Sequence, residues 1–143
     1  MLVSGVLKDK GDMVFTASPS DTVGQVAAML HQRHVGAMVV VVGDREVAGI
    51  VSERDIVRVV AEQGAGALDR AVSECMTRDV IFAEPNETVD SLLERMTDRR
   101  IRHLPVCVDD HLVGIISIGD LVKSKIAETV AEAEGLRAYI SAA

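Results

Sequence analysis

The chain has 143 residues, 48% of them hydrophobic and only 2% aromatic, with a formal net charge of -7. That length suits one compact domain or two small ones, with a core built from Val, Ile, Leu, Ala and Met. The acidic balance excludes nucleic acid and anionic membrane surfaces as partners, because both are bound through clustered Lys and Arg. The opening MLVSGVLKDKG has no basic segment followed by a long apolar one, so it does not read as a signal peptide. The longest apolar run, Val35 to Val42, falls far short of the ~20 residues a membrane span needs. A soluble, cytoplasmic protein is expected. Cys75 and Cys107 form no C-x-x-C and have no second pair to complete a zinc site, so they read as two reduced thiols.

A short extended piece runs from Val14 to Pro19, and Thr22 then opens a helix. Val23, Val26, Ala27 and Leu30 lie on one face of it, the i, i+3, i+4, i+7 stripe of a half-buried helix. Thr22 followed by Gln25 predicts a capping box. VGAMVVVV, residues 35–42, reads as a buried strand, GDRE turns the chain, and VAGIVS, residues 47–52, returns as the second strand of a hairpin. Ser52 caps a second helix. Residues 61–74, AEQGAGALDRAVSE, join this unit to the next, with a break at Gly-Ala-Gly.

The next unit repeats the first. Pro85, Thr88 and Val89 each lie 66 residues after Pro19, Thr22 and Val23. Beyond the hairpin turn the interval is 65, as in Gly49 to Gly114, Ser52 to Ser117 and Asp55 to Asp120. A fixed interval that slips once, inside a turn, is the mark of a duplicated structure. The second copy predicts a helix with Val89, Leu92, Leu93 and Met96 inward, a strand IRHLPVCV, a turn DDHL and a strand LVGIIS. Each unit is β-α-β-β-α. The reading divides the chain into repeat 1 (6–62), a linker (63–74), repeat 2 (75–127) and a C-terminal helical extension (128–143). Half-domains of this size bury little surface alone, so the two are expected to pack sheet against sheet about a pseudo-twofold axis in one α+β unit. From Ile118 one long helix is predicted, with Val122, Ile126, Val130, Ala133, Leu136 and Ile140 as a stripe that needs a partner surface, and Gly135 as a weak point. A homodimer is the expected use of that stripe.

The motif that both copies share is Gly, two β-branched residues, Ser, two variable residues, Asp: GIVSERD and GIISIGD. One reading is structural. Ser caps the free backbone N–H groups of a helix and an acid in the first turn suits its dipole. The other reading is a binding site. A helix N-terminus at a strand-to-helix junction offers N–H groups to a phosphate, and a nearby carboxylate can accept from two ribose hydroxyls.

These features resemble a pair of cystathionine-β-synthase (CBS) domains, a Bateman module. SPSDTV and EPNETV, the helices after them, HLPVCV and the two Gly-h-h-Ser-x-x-Asp motifs carry the resemblance over residues 6–127. It implies a regulatory module for adenine nucleotides (AMP, ADP, ATP, NAD(H) or S-adenosylmethionine), with no metal. It also implies that Asp55 and Asp120 hold ribose and that Ser52 and Ser117 lie near phosphate. The adenine walls it implies are Thr16 with Ala17, Phe82 with Ala83, Gly36 with Ala37, and Arg102, His103 and Leu104.

Two asymmetries predict unequal clefts. Arg54 stands where repeat 2 has Gly119, and reads either as a solvated side chain or as a phosphate ligand. Arg102-His103 stand where repeat 1 has Gly36-Ala37, exchanging room for a base for groups suited to phosphate. His31, His34 and His111 form no spaced cluster. An enzyme built on His103 or Cys107 lacks a nucleophile placed beside a base. A protein-interaction scaffold with vestigial clefts is the alternative. Output is expected to pass through an oligomer or an unknown protein target.

Overall fold

The computed structural model describes residues 1–11 and 14–142; Asp12 and Met13 of repeat 1 and Ala143 of the extension lie outside the described residues. The chain runs α1 (Val3–Lys10), β1 (Thr16–Ala17), α2 (Val23–Arg33), β2 (Ala37–Val42), β3 (Glu46–Ser52), α3 (Glu53–Gln63). Two short 3-10 turns follow, Ala65–Asp69 and Val72–Glu74, then α4 (Val89–Arg99), β4 (His103–Val108), β5 (His111–Ser117) and α5 (Ile118–Ala142). This is an α+β fold of two β-α-β-β-α repeats with an additional C-terminal helix.

The repeats agree down to backbone detail. Helices α2 and α4 each span 11 residues and end on a left-handed residue, His34 and Arg100. Thr22 makes the predicted capping box with Gln25, and Thr88 caps α4 by accepting from the Ser91 N–H. Hairpins β2–β3 and β4–β5 carry a register irregularity at the equivalent place, Val40/Val41 and Val106/Cys107. β1 runs parallel to β2, with Ala17 beside Val40. Its counterpart in repeat 2 is shorter, a single bridge of Ala83 to Val106.

The halves meet as equivalent partners, as a pseudo-twofold axis requires. They join edge to edge in one sheet of order β1-β2-β3-β5-β4, and the pair that joins them is Glu46 with His111. These two positions are equivalent in the repeats, which is the contact a twofold relation produces. One core gathers Ala17, Val26, Leu30, Met38, Val40, Val51, Val72 and Met76; the other gathers Val3, Val6, Val89, Leu92, Met96, Leu104, Ile116 and Leu121. On the side of each hairpin opposite its core, Val39 and Pro105 are buried as well.

Each core is completed by a segment that leads into the other half. Val72 and Met76, between α3 and α4, close the first core, and α1, ahead of β1, closes the second. The two segments dock alike. Val72 N donates to Asp21 O (2.7 Å) and Val3 N to Glu87 O (2.9 Å); Ser73 N donates to Pro19 O (3.2 Å) and Ser4 N to Pro85 O (2.9 Å). Exchange of these segments gives each small half enough apolar burial to be stable. α1 was not anticipated from the sequence, and the joining segment is packed rather than loose: Ala67 and Val72 are buried. The Gly-Ala-Gly break ends α3 at Gly64, whose φ of 77° suits glycine.

α5 is 25 residues long and buries only Leu121. Val122, Ile126, Val130, Leu136 and Ile140 of the predicted stripe are exposed, as is Tyr139.

Candidate functional site

Ser52 sits where β3 gives way to α3. Its hydroxyl accepts from Asp55 N (3.3 Å), and Asp55 Oδ2 accepts from Ser52 N (2.9 Å) and Ser52 Oγ (3.1 Å). The other carboxylate oxygen, Oδ1, meets Arg58 at 3.1 Å. Asp55 is only 6% exposed and is the one buried charged residue among those described. Repeat 2 copies the cap: Asp120 N donates to Ser117 Oγ (3.1 Å) and Ser117 N to Asp120 Oδ2 (2.9 Å). The structural reading of Ser-x-x-Asp is therefore realised at both helices. Whether the carboxylates also serve a ligand depends on what surrounds them.

A cleft of about 270 Å³ opens beside Asp55. Repeat 1 contributes Gly36, Ala37, Ile50 and the run Ser52 to Asp55 with Arg58; repeat 2 contributes Thr77, Arg100, Ile101, Arg102 and His103. Four arginines and a histidine thus face two carboxylates, Glu53 and Asp55. Such a wall suits phosphate oxygens, with a carboxylate left for hydroxyl donors. Arg54 is on it and makes no ion pair among the described residues.

His103 occupies the room that a small residue was expected to leave for a base. A Cβ on Gly36 would lie 3.2 Å from its ring, at both Cε1 and Nε2. Burial, and then the nearby Lys10 ammonium, push the His103 imidazole below its ordinary value against the opposing pull of Glu53 and Asp120. It is neutral at neutral pH and presents one donor and one acceptor.

Asp120 is held otherwise. Lys10, at the end of α1, donates from Nζ to its Oδ2 (2.8 Å) and to Ile115 O (2.9 Å). Partial burial pushes the Asp120 carboxyl up, but the Lys10 ammonium and the Ser117 N–H together outweigh it and hold the carboxyl below its usual range. Lys10, Lys123 and Asp120 line a cavity of about 800 Å³ between α1 and α5.

The remaining predicted residues are dispersed. Ala17, Ala83 and Leu104 have their side chains in the cores. Thr16 lies in β1 beside Val39. Phe82 and Ala83 line a separate groove with Asp44, Glu46, Asp109 and Asp110, away from both capped aspartates. Sequence reasoning missed Lys10, Arg58, Thr77 and Arg100. Arg58 was within reach, since i+3 on a helix faces the same way as Asp55. Lys10 is 110 residues from Asp120 and had no local signal.

Among the described residues no group of His, Cys, Asp and Glu is gathered to hold a metal ion, and no helix is long and apolar enough to cross a membrane. Burial pushes the Cys107 thiol up, opposite to what a reactive thiolate requires.

The fold is a duplicated α+β module with a cleft beside Asp55. The chain belongs to the CBS-domain family: the family's sequence model, CBS domain, matches residues 11–62 and 72–126. The chain is 36% identical over 146 residues to the CBS domain-containing protein CBSX3, mitochondrial, of Arabidopsis thaliana, covering 96% of this chain and 71% of that one. Its fold matches the CBS-domain containing protein ATU1752 of Agrobacterium tumefaciens with a TM-score of 0.84 and 45% identity, over 87% of this chain and 99% of that one. It also matches the CBS domain pair of protein MJ0100, solved in complex with 5'-methylthioadenosine and S-adenosyl-L-methionine, with a TM-score of 0.80 and 25% identity, over 90% and 98% of the two chains. A further match, from Burkholderia ambifaria, is described as a signal-transduction protein with CBS domains, with a TM-score of 0.83 and 41% identity over 89% and 95% of the two chains. These solved structures are described as CBS-domain or signal-transduction proteins.

Proposed function

We propose that this chain is a non-catalytic regulatory sensor of adenine nucleotides, of the AMP, ATP or NAD(H) type. The observation that carries the reading is the first cleft, where a buried carboxylate, Asp55, stands under a wall of four arginines. A ribose diol needs the first and a phosphate the second, and a nucleotide supplies both. The adenosine-derived ligands bound by the MJ0100 domain pair support the same class. Asp55 and Asp120 are the ribose ligands in this reading, Ser52 and Ser117 flank the phosphate, and Arg54, Arg102 and His103 receive it.

A thermal-shift panel of AMP, ADP, ATP, NAD, NADH and S-adenosylmethionine tests the proposal. A cognate ligand at a hundred times its Kd stabilises the folded chain by about 2.7 kcal/mol. A panel in which no member raises the melting temperature overturns it, and leaves the alternative of an interaction scaffold with vestigial clefts. That alternative draws support from the Asp120 carboxylate already meeting Lys10.

Output is proposed to pass through a homodimer formed on α5. Six exposed large apolar side chains, from Val122 to Ile140, line this helix, and a lone helix of this kind is poorly stable in water. Light scattering on the intact chain should give twice the chain mass, and removal of residues 128–143 should reduce it toward one chain. A monomer for the intact chain at high concentration contradicts the dimer.

A further inference from the structure

Lys10 lies outside both repeated motifs, yet it stands on the second motif's carboxylate. Its ammonium carries three N–H groups, and two acceptors, Asp120 Oδ2 and Ile115 O, hold it on the second repeat. Asp120 Oδ2 is already shared between Lys10 and Ser117 N, and Oδ1 accepts from no donor among the described residues.

The first cleft is arranged otherwise. The cation on Asp55 is Arg58, a side chain of the same helix that is 55% exposed. A ligand can displace it into solvent. Lys10 is less free: its side chain is 33% exposed, and a second acceptor, Ile115 O, holds the ammonium in place. Its helix is anchored by Val3 and Val6, which are buried in the second core, and by Leu7, which lies against Gly114. A ribose that takes Asp120 therefore leaves an ammonium inside the same cavity, beside Lys123. Asp9 and Glu128 also line that cavity, but the charge that stands directly on Asp120 is the Lys10 ammonium, at 2.8 Å. Removing its carboxylate partner without supplying another anion is unfavourable.

We infer that Lys10 is a specificity-determining residue of the second cleft: it admits adenosine ligands that bring an anionic phosphate to the ammonium and rejects neutral nucleosides and cationic sulfonium analogues. The inference rests on the reading of Asp120 as a ribose ligand.

The test uses the full chain with Asp55→Ala, which silences the first cleft, and calorimetry with AMP and with adenosine. AMP should bind more tightly than adenosine. Lys10→Met, which keeps the aliphatic stem, should weaken AMP by about tenfold and leave adenosine equal or tighter, collapsing the ratio. Lys10→Arg, which retains the charge, should keep most of it, and it covers the event that Lys10→Met disturbs the fold. An AMP-to-adenosine ratio unchanged in Lys10→Met, with AMP binding still abolished by Asp120→Ala, overturns this inference and leaves the nucleotide reading standing. Absence of binding by the unmodified chain overturns both.

Discussion

Asp55→Ala is expected to lower nucleotide affinity at the first cleft by roughly tenfold to a hundredfold. Two ribose hydroxyls donating to one carboxylate make charge-assisted hydrogen bonds, each worth about 1.5–3 kcal/mol. The substitution also removes the cap that Asp55 Oδ2 forms with Ser52 N, which lowers stability by about 1 kcal/mol. The two effects must be separated. Glu53→Ala removes the adjacent first-turn acid without touching that cap, and Ser52→Ala removes the hydroxyl side of the cap while keeping the carboxylate. Calorimetry should show the largest loss for Asp55→Ala, a smaller one for Ser52→Ala, whose hydroxyl flanks the phosphate, and the least for Glu53→Ala. Asp120→Ala should silence the second cleft in the same way, and the double variant should fold and bind nothing. 2'-Deoxy ligands should lose part of the same free energy, and Asp55→Ala should shrink that difference. A folded double variant that binds AMP or NAD(H) at full strength would return both carboxylates to helix capping alone.

Gly49→Ala should destabilise the fold by about 1–3 kcal/mol, the usual range for overpacking a filled core. A Cβ there would lie 2.8 Å from the Thr77 carbonyl oxygen and 2.6 Å from Met76 Sδ. The carbonyl cannot yield easily, because Ile50 N donates to it (3.0 Å) and Thr77 N donates back to Ile50 O (2.8 Å). Gly114→Ala is the internal control. Its Cβ would meet Leu7 Cδ2 at 2.6 Å, the end of a side chain that can turn aside, so it should be the milder substitution. Urea unfolding midpoints measure both. Equal losses at the two glycines, or none at Gly49, would contradict this account of why each motif begins with glycine.

Much of the molecule was legible in the residues alone, and the legible part is local. The 66-residue and 65-residue intervals mark the duplication. The i, i+3, i+4 stripes place α2 and α4, and the caps at Thr22, Ser52, Thr88 and Ser117 involve partners three residues away. Hydrophobic periodicity, capping and turn chemistry act within one turn of chain, so spacing encodes them directly. The contrast of Gly36-Ala37 with Arg102-His103 was visible in the sequence as a difference between two clefts, but the fold brings all four residues to one cleft.

What determined how the clefts differ was tertiary. The exchange of α1 onto repeat 2 and of Val72–Met76 onto repeat 1, the edge pair of Glu46 with His111, and the His103 ring over Gly36 all join residues remote in sequence. So does the bond of Lys10 to Asp120, across 110 residues. No periodicity records such pairs, because a contact between distant residues forms only once both apolar faces are buried and the backbone has brought them together. The sequence by itself determined two repeats, their helices and strands, and two carboxylates at helix starts. Packing alone decided that one carboxylate lies under arginines in an open cleft and the other under a lysine anchored through its own helix.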